Sequence, residues 1–274
     1  MTTLCTAPVY VDTHAHLDDG RFDHDLDEVL AAAASAGVKH VINIGYRPAR
    51  WPTTIALARR RSDISFTLGV HPHHADEWSP ETARLLEEAA VRERPVAIGE
   101  TGLDYFRDLS DRSAQRRAFL DQLAIAARLR LPVVLHLRGE IEQDVRAILA
   151  CGPPVRAVFH SFDGSAALAS FILERGDIFG IGGLLTRPTH QHLRDLVRDL
   201  PLDRIVLETD APYLTPAGIR DRRNSPINIP HIAKALAAIK ELPAEEIAAR
   251  STRTAVELFG LPHSLIAHPP GGSR

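Results

Sequence analysis

The sequence predicts a (β/α)8 TIM barrel with an extra C-terminal helix. Two observations lead to this fold class: eight short apolar segments alternate with segments of helical pattern, and the chain has 274 residues, a length at which such barrels form one domain. Most of the apolar segments are continuously hydrophobic, as Val133-Val134-Leu135 is. Continuous hydrophobicity is typical of parallel strands that are covered by helices on one face and by a packed interior on the other.

The eight predicted strands are short runs of mainly apolar, often β-branched residues. They cover residues 9–13, 40–45, 65–70, 96–100, 133–137, 157–160, 178–182 and 204–208. In a barrel of this kind the carboxyl ends of the strands meet at one rim, and that rim holds the active site. Ionisable residues at strand ends are therefore the first candidates for function.

The segments between the strands carry helix signals. Residues 25–36 have an apolar stripe and end before Gly37, a typical left-handed cap. Ser79 and Pro80 begin another helix as N-cap and first-turn proline. Further helices are predicted at residues 113–129, 165–175, 189–199, 230–240 and 243–259. The last of these has no strand after it and is the extra helix.

No linker or change of composition divides the chain. We therefore expect residues 1–262 to form a single barrel domain. Residues 263–274 are rich in proline and glycine, and we expect a flexible tail there. The sequence leaves the oligomeric state open, and a monomer is compatible with it.

Composition narrows the class of protein. Hydrophobic residues make up 45% of the chain and charged residues 24%, as in ordinary globular proteins. The net charge of −3 is unlike that of proteins that coat nucleic acid, so phosphate contacts must be confined to a local site. Cys5 and Cys151 lack disulfide or metal spacing, and no apolar run approaches the ~20 residues of a membrane span. We expect a cytoplasmic protein without a membrane segment.

His14 and His16 end the first predicted strand and point to the same face of it, so both imidazoles can reach one ion. Taken alone, such a pair is more often a pair of partly buried polar residues. Four other strand ends change this interpretation because they also carry ionisable side chains: Glu100 and Asp104, His136 and Arg138, His160, and Glu208 and Asp210. Four histidines and two carboxylates at one rim can hold two divalent ions if one carboxylate bridges them.

Six segments together form a specific pattern. They are Val11-Asp12-Thr13-His14-Ala15-His16, Gly69-Val70-His71-Pro72-His73, Gly99-Glu100-Thr101-Gly102-Leu103-Asp104-Tyr105, Pro132-Val133-Val134-Leu135-His136-Leu137-Arg138, His160-Ser161-Phe162-Asp163-Gly164 and Leu207-Glu208-Thr209-Asp210-Ala211-Pro212-Tyr213-Leu214. The pattern, which covers about residues 10–261, resembles the TatD family of metal-dependent deoxyribonucleases within the amidohydrolase-like barrel superfamily.

This resemblance implies a metal centre and a reaction. One ion is held by His14, His16 and Asp210, and Glu100 bridges to a second ion that is also held by two further histidines, His136 and His160. The ions are Mg, Mn or Zn, and the reaction is hydrolysis of phosphodiester bonds in DNA. The implied activity is that of a 3′–5′ exodeoxyribonuclease on single strands or 3′ ends, with Asp210 and Glu100 as catalytic residues. Asp210 would orient the attacking water or take its proton.

The few lysines favour a glutamate as the bridge between the ions. Many barrels of the wider superfamily bridge two metals with a carboxylated lysine at a strand end. The three lysines of this chain lie elsewhere, Lys39 before the second strand and Lys234 and Lys240 in a late helix. Glu100 is then the available bridging group.

Asp12 and Asp104 each have two interpretations. Asp12 has the strand parity of His14 and His16, and Asp104 follows Glu100 closely. Either carboxylate supports the neighbouring ligands from a second layer, or it makes an ordinary capping or core hydrogen bond.

Substrate contacts are predicted at four residues. Arg138 lies two residues beyond His136 on the same face and suits bidentate phosphate binding, with a rim salt bridge as the alternative. The resemblance places His71 beside the scissile phosphate or the attacking water. Arg223 and Asn224 follow the last strand, where barrels often bind phosphate, and a solvated charged loop is the alternative.

At three positions the residue differs from the one that is common in the family. Gly139 and Ser225 stand where acidic residues are common, and Asp163 stands where serine is common. None of these positions is a proposed metal ligand, so the differences concern which substrate is used and how efficiently. A second hypothesis therefore keeps the barrel and the metals but changes the bond to an amide, lactone or ester, including that of aminoacyl-tRNA. A third is a barrel that binds metal or nucleic acid without turnover.

Overall fold

A computed structural model describes residues 7–266 as a ring of eight parallel strands in sequential order. The strands are β1 (Tyr10–Ala15), β2 (Val38–Gly45), β3 (Ile64–Leu68), β4 (Ala97–Asp104), β5 (Val133–Arg138), β6 (Ala157–Phe159), β7 (Ile178–Ile181) and β8 (Ile205–Leu207). An isolated parallel bridge between Ala15 and Ala211 joins the first and last strands at their carboxyl ends. The predicted (β/α)8 fold class is confirmed.

Nine α-helices surround the strands within residues 7–266. They are α1 (Leu26–Ser35), α2 (Trp51–Arg60), α3 (Pro80–Glu93), α4 (Arg112–Leu129), α5 (Glu142–Cys151), α6 (Ala166–Arg175), α7 (Gln191–Asp199), α8 (Ile229–Lys240) and α9 (Ala244–Phe259). Helix α3 begins as predicted, with the side chain of Ser79 accepting a hydrogen bond from the backbone N–H of Thr82. Helix α9 is the predicted extra helix.

The apolar side chains form two clusters. The smaller one contains alternate residues of the strands, the C-terminal part of α9 and one residue after it, namely Val11, Ile42, Ile44, Ala97, Val134, Val158, Ile178, Val206, Ala255, Val256, Leu258, Phe259 and Leu261. The intervening strand residues pack in the larger cluster with the outer helices. The smaller cluster is therefore the barrel interior, and α9 closes its lower end.

Irregular pairing in β1 and β4 changes which residues face the interior. Val11 and Ala97 reach the interior cluster from odd positions, whereas His14 and Glu100 reach the interior from even positions. The pairing registers shift between Asp12 and Ala15 and also within β4, before Thr101. Such bulges re-aim side chains next to active sites. Asp12 lies at the start of the β1 bulge, which corrects the expectation that it shares a regular strand face with His14.

The chain beyond α9 begins with ordered structure. His263–Leu265 form a 3-10 helix, and Leu265 and Ile266 pack against the interior cluster. The first four residues of the predicted tail thus belong to the fold. Residues 267–274 lie outside the described residues, as does Cys5. Among the described helices, none combines the length and the apolar character that crossing a bilayer requires.

Candidate metal centre

The structure brings all six predicted metal ligands together at the C-terminal end of the barrel. This six-residue cluster consists of His14, His16, Glu100, His136, His160 and Asp210. Its donor atoms form three overlapping groups, and within each group all atoms lie within 4.8 Å of one another. The groups are His14, His16 and Glu100; His14, His160 and Asp210; and Glu100, His136 and His160. Their role as ligands stays a prediction.

Glu100 lies between two groups of histidines. Its Oε1 is 3.0 Å from Nδ1 of His136 and 3.8 Å from Nε2 of His160. Its Oε2 is 3.6 Å from Nε2 of His14. Atoms that bind one ion at 2.0 to 2.2 Å stand about 3 to 3.5 Å apart, close to these separations. The two oxygens of Glu100 are therefore placed as those of a carboxylate that bridges two ions.

Asp210 presents one oxygen to three imidazoles. Its Oδ1 is 3.4 Å from Nε2 of His16, 3.7 Å from Nε2 of His14 and 3.8 Å from Nε2 of His160. The backbone of Asp210 is left-handed, with φ of 60°, and its N–H donates to the carbonyl of His14 at 2.9 Å. A left-handed aspartate is sparsely populated and persists where the surroundings hold it. The fold thus fixes this carboxylate against β1.

Buried nitrogens in the cluster lack hydrogen-bond partners. Within the described residues, both ring nitrogens of His14 and Nδ1 of His16 are buried without one, and an unpaired buried polar atom costs about 1–3 kcal/mol. The rings of His14 and His160 also stack at 3.4 Å between centroids. Imidazole nitrogens suit Zn and Mn, and the carboxylate oxygens also admit Mg. The donor set and the unpaired nitrogens therefore fit divalent ions.

Burial and charge give several of these groups the protonation state that metal binding requires. Burial and the neighbouring His160 lower the pKa of His14, and burial lowers the pKa of His160 to about 4. Burial alone would raise the pKa of Glu100 and Asp210, but the adjacent imidazoles lower both. Neutral imidazoles and ionised carboxylates are the forms that ligate metal.

Two buried carboxylates orient two of the histidines. Oδ2 of Asp104 is 2.9 Å from Nε2 of His136, which leaves Nδ1 of that ring facing Glu100. Oε1 of Glu208 is 2.9 Å from Nδ1 of His160, in a poorly aligned contact, which leaves Nε2 facing the cluster. A carboxylate behind a ligating histidine fixes its tautomer and ring orientation. Asp104 thus takes the supporting role.

Glu208 has no role in the sequence-based prediction. It lies two residues before Asp210, so alternation along the strand places it one layer deeper in the interior, and this was the available signal. Burial raises its pKa to about 8. A Cβ at Gly180 would lie 2.4 Å from Oε2 of Glu208, so only glycine leaves room for this carboxylate.

Asp12 supports the backbone rather than a ring. Its carboxylate accepts hydrogen bonds from the N–H and the hydroxyl of Thr209, at 2.9 and 2.5 Å, and from the N–H of His14 at 3.3 Å. Burial raises its pKa to about 7, the hydrogen bonds opposing that rise. Asp12 therefore ties β1 to the chain after β8, which aligns His14 with Asp210.

His71 lies beside the cluster with its proton in a fixed place. The backbone N–H of His73 donates to Nδ1 of His71 at 3.0 Å, so the neutral ring carries its proton on Nε2. Nε2 faces Oε1 of Glu100 at 3.7 Å. Burial and the nearby His136 lower the pKa of His71 well below its usual value, which keeps the ring neutral. His71 is therefore placed as a hydrogen-bond donor.

His73 contacts the cluster indirectly and is absent from the predicted site residues. Its Nε2 is 2.7 Å from Oδ2 of Asp104, the atom that also contacts His136. Its place two residues after His71, across a proline, was the only sequence signal.

The predicted substrate residues separate into two kinds. Arg138 ends β5, donates to the carbonyl of Leu137 and has no carboxylate partner within residues 7–266. Its charge contributes to the low pKa of His160, so it lies close to the cluster. Arg223 instead binds Asp25 with two hydrogen bonds of 2.8 and 2.5 Å, which ties the loop after β8 to the start of α1.

Asn224 is fully buried. Its side-chain amide donates to the carbonyls of Thr209 and Tyr213, at 2.8 and 2.7 Å. Its carbonyl oxygen accepts from the side chain of Asn228 at 2.8 Å. These contacts hold the loop that carries Asp210, so Asn224 shapes the site from behind.

Comparisons with known proteins show which proteins the chain resembles. Residues 11–260 match the family described as TatD related DNase. The chain is 39% identical over 257 residues to the 3′-5′ ssDNA/RNA exonuclease TatD of Erwinia tasmaniensis, covering 91% of this chain and 99% of that protein. It is 33% identical over 249 residues to the uncharacterized metal-dependent hydrolase YabD of Bacillus subtilis, covering 90% and 98%.

A solved structure shares the fold over nearly the whole chain. The TatD homolog YJJV of Escherichia coli superposes with a TM-score of 0.86 at 32% identity, covering 92% of this chain and 98% of that one.

Proposed function

The chain belongs to the family of TatD-related DNases, and on that premise we propose that it is a metal-dependent nuclease that removes nucleotides from the 3′ ends of single-stranded DNA. The Erwinia relative, whose name states a 3′-5′ exonuclease on single-stranded DNA and RNA, supports this polarity and substrate. The six-residue cluster at the barrel mouth supplies the chemistry.

One observation carries the proposal. The two oxygens of Glu100 face two different groups of histidines, with Oε1 3.0 Å from Nδ1 of His136 and Oε2 3.6 Å from Nε2 of His14. A carboxylate shared in this way suits a pair of divalent ions. When bound, such a pair polarises a phosphodiester, lowers the pKa of water and stabilises the leaving oxygen.

The chain's own residues orient the reactants. His71 donates a hydrogen bond from Nε2 to an oxygen of the phosphodiester, since backbone contact occupies its Nδ1. Asp210 stays ionised, because the hydrogen bond from His16 and the adjacent imidazoles of His160 and His14 lower its pKa against the effect of burial. An ionised carboxylate accepts a hydrogen bond from the attacking water and orients it.

Arg138 supplies a positive charge for the substrate. Its guanidinium has no carboxylate partner in the described part of the chain and lies near His160. A planar guanidinium binds phosphate with two parallel hydrogen bonds. We assign it to the phosphate next to the scissile one. Arg223 and Asn224 act on the loop after β8, because their contacts with Asp25 and Thr209 occupy them.

The proposal also covers location and assembly. The exposed free thiol of Cys151 suits a reducing compartment, and we place the protein in the cytoplasm. All six candidate ligands come from one chain, so a monomer is sufficient for the metal centre.

The test uses metal-stripped protein and a single-stranded DNA oligonucleotide labelled at either the 3′ or the 5′ end. Mg, Mn or Zn is added back, and Glu100→Ala is run in parallel. Glu88→Ala, which changes an exposed glutamate on α3, is the matched control. We expect metal-dependent shortening that Glu88→Ala retains and Glu100→Ala loses. The 5′-labelled strand should give a ladder, and the 3′-labelled strand should release its label first.

Two results would contradict the proposal. Folded, metal-loaded protein that cleaves neither labelled strand would exclude the nuclease and direct attention to esters such as aminoacyl-tRNA with the same centre. Internal cuts from the earliest times would contradict the exonuclease.

A further inference from the structure

The loop between β4 and α4, residues 105–111, exposes apolar side chains at the mouth of the barrel. Phe106 is 76% exposed and Leu109 is 64% exposed, the two highest values among the large hydrophobic residues that the structure describes. Isolated exposed residues are common, but two on one short loop beside a functional site indicate a binding surface. No side chain of this loop belongs to the metal centre described above.

The loop is held rigidly although its apolar side chains are free. Oδ1 of Asp104 accepts hydrogen bonds from the backbone N–H groups of Phe106 and Arg107, at 3.1 and 2.8 Å. Farther along, the guanidinium of Arg112 holds the carboxylate of Asp108 at 2.9 Å. The phenylalanine ring therefore stands in solvent on a fixed backbone, which lowers the entropy cost of binding to it.

The same loop lies directly beside the six-residue cluster. The second oxygen of Asp104 is 2.9 Å from Nε2 of His136, so one carboxylate separates the backbone of Phe106 from a candidate ligand. A Cβ at Gly139 would lie 2.8 Å from the backbone nitrogen of Phe106. Glycine at this position allows the loop to rest on the end of β5 next to Arg138.

Two arginines next to the loop, one within it and one at the end of β5, carry positive charge that no carboxylate of the described residues pairs. Within residues 7–266, the guanidinium groups of Arg107 and Arg138 have no carboxylate partner. Their neighbours Arg112 and Arg116 are paired with Asp108 and Asp144. Free cations beside an exposed aromatic ring are the features with which proteins bind single-stranded nucleic acid, through its phosphates and through the faces of its bases.

We propose that Phe106 is a stacking platform for an unpaired base of the strand whose 3′-terminal phosphodiester lies at the six-residue cluster, with Arg107 and Arg138 binding the adjacent phosphates. The inference rests on the proposed nuclease function and adds the element that selects a single strand. A base inside a duplex is already stacked on both sides and has no free face. Tyr213 is less suited to this role, because Arg21 lies over its ring at 4.3 Å.

The test compares Phe106→Trp, Phe106→Leu and Phe106→Ala. Leu85→Ala is the matched control, since Leu85 is a 42% exposed apolar residue on α3. The ligand is a single-stranded DNA with 2-aminopurine near its 3′ end and phosphorothioate terminal linkages that resist cleavage. Hydrolysis of bis(4-nitrophenyl) phosphate, which has no strand beyond the scissile phosphodiester, reports on the metal centre.

We expect Phe106→Leu and Phe106→Ala to weaken binding of the strand about tenfold or more, within the range for loss of one base–aromatic stack. Both should lose the fluorescence quenching of 2-aminopurine, raise KM for an ordinary oligonucleotide more than they change kcat, and keep the rate on the small diester. Phe106→Trp and Leu85→Ala should bind as the parent does. Binding of a blunt duplex should not change in any variant.

Unchanged affinity and quenching in Phe106→Leu would overturn the proposal, as would an equal loss in Phe106→Trp. A fall in hydrolysis of the small diester would show that the loop supports the metal centre instead. Because the labelled strand is not cut, stacking is measured even if the parent protein degrades no DNA. Failure of the proposed function is therefore distinguishable from failure of this inference.

Discussion

The backbone N–H of His73 donates to Nδ1 of His71 at 3.0 Å and thereby fixes the proton of His71 on Nε2, 3.7 Å from Oε1 of Glu100. A neutral imidazole in this state has no lone pair on Nε2 to offer a metal. His71 is therefore placed to donate a hydrogen bond, in contrast to the four histidines of the six-residue cluster, which are placed to hold metal.

Replacement of His71 should affect turnover without affecting metal content. We expect His71→Ala to lower kcat about 10²- to 10³-fold, as loss of one donor to the developing charge does in other hydrolases. His71→Gln, which keeps an N–H donor, should retain more activity. Steady-state kinetics and metal analysis of the same samples check this, and loss of an ion from His71→Ala would identify His71 as a ligand.

Removal of the Glu100 carboxylate should change the number of bound ions. Glu100 is the group whose oxygens face both sets of histidines. We expect wild-type protein to bind two Mn per chain and Glu100→Gln to bind one or fewer, with nuclease activity lost in the variant. Titration calorimetry gives the stoichiometry. Two tightly bound ions in Glu100→Gln would show that the histidines and Asp210 suffice without a bridge.

Disturbing the carboxylate behind His160 should weaken metal binding without removing a ligand. We expect Glu208→Gln to raise the metal dissociation constant about 10- to 100-fold, as loss of an orienting partner does. Gly180→Ala should have a similar effect, because its Cβ would lie 2.4 Å from Oε2 of Glu208. Circular dichroism should show folded proteins. Wild-type metal affinity in both variants would mean that His160 needs no support.

Stability should fall in mild acid through His40, which is remote from the metal centre. Its ring is 3% exposed, contacts the hydroxyl of Ser65 at 2.8 Å, and has a pKa lowered to about 4 by burial. The unfolded chain, with a histidine pKa near 6.5, takes up the proton first as pH falls. The stability that the neutral His40 ring contributes is therefore fully present above pH 6.5 and is lost as the pH falls from 6.5 to 4.

The size of this effect follows from the pKa difference. About 2 to 3 kcal/mol should be lost by pH 4.5, at 1.36 kcal/mol for each pKa unit. Urea unfolding of metal-free wild type and His40→Gln at pH 7 and pH 4.5 checks this. Between pH 7 and pH 4.5, the free energy of unfolding of wild type should fall by that amount more than that of His40→Gln. Parallel pH profiles would contradict the assignment.

The barrel and its six-residue cluster are predictable from the sequence because both depend on repetition. Apolar segments alternate with helical ones, and ionisable residues recur at the ends of strands. No bounds follow from the sequence for α2 and α5, and neither helix has a side-chain hydrogen bond at its N-cap. The bulges that direct His14 and Glu100 into the interior cannot be predicted from the sequence either, because a local shift of strand pairing leaves the pattern of residue types unchanged.

Arg223 was predicted to contact substrate phosphate, but in the structure it pairs with a residue far away along the chain. The guanidinium pairs with Asp25, which is 198 residues away along the chain, so no local pattern separates this contact from a free phosphate donor. Asn224 is similar, since its burial depends on how the loop after β8 folds back on itself.

The seam between β1 and β8 has a consequence for the thermodynamics of the whole ring. Asp12 and Thr209, which join across it, are 197 residues apart, and His14, His16 and Asp210 lie along the same seam. An ion held by these three residues would fasten the first strand of the barrel to the last and close the chain between His14 and Asp210 into one loop. Cross-links that close the longest loops remove the most entropy from the unfolded chain. The ions would then cross-link the barrel as well as take part in catalysis. In a cell that is poor in metal, the protein would be both inactive and less stable against unfolding.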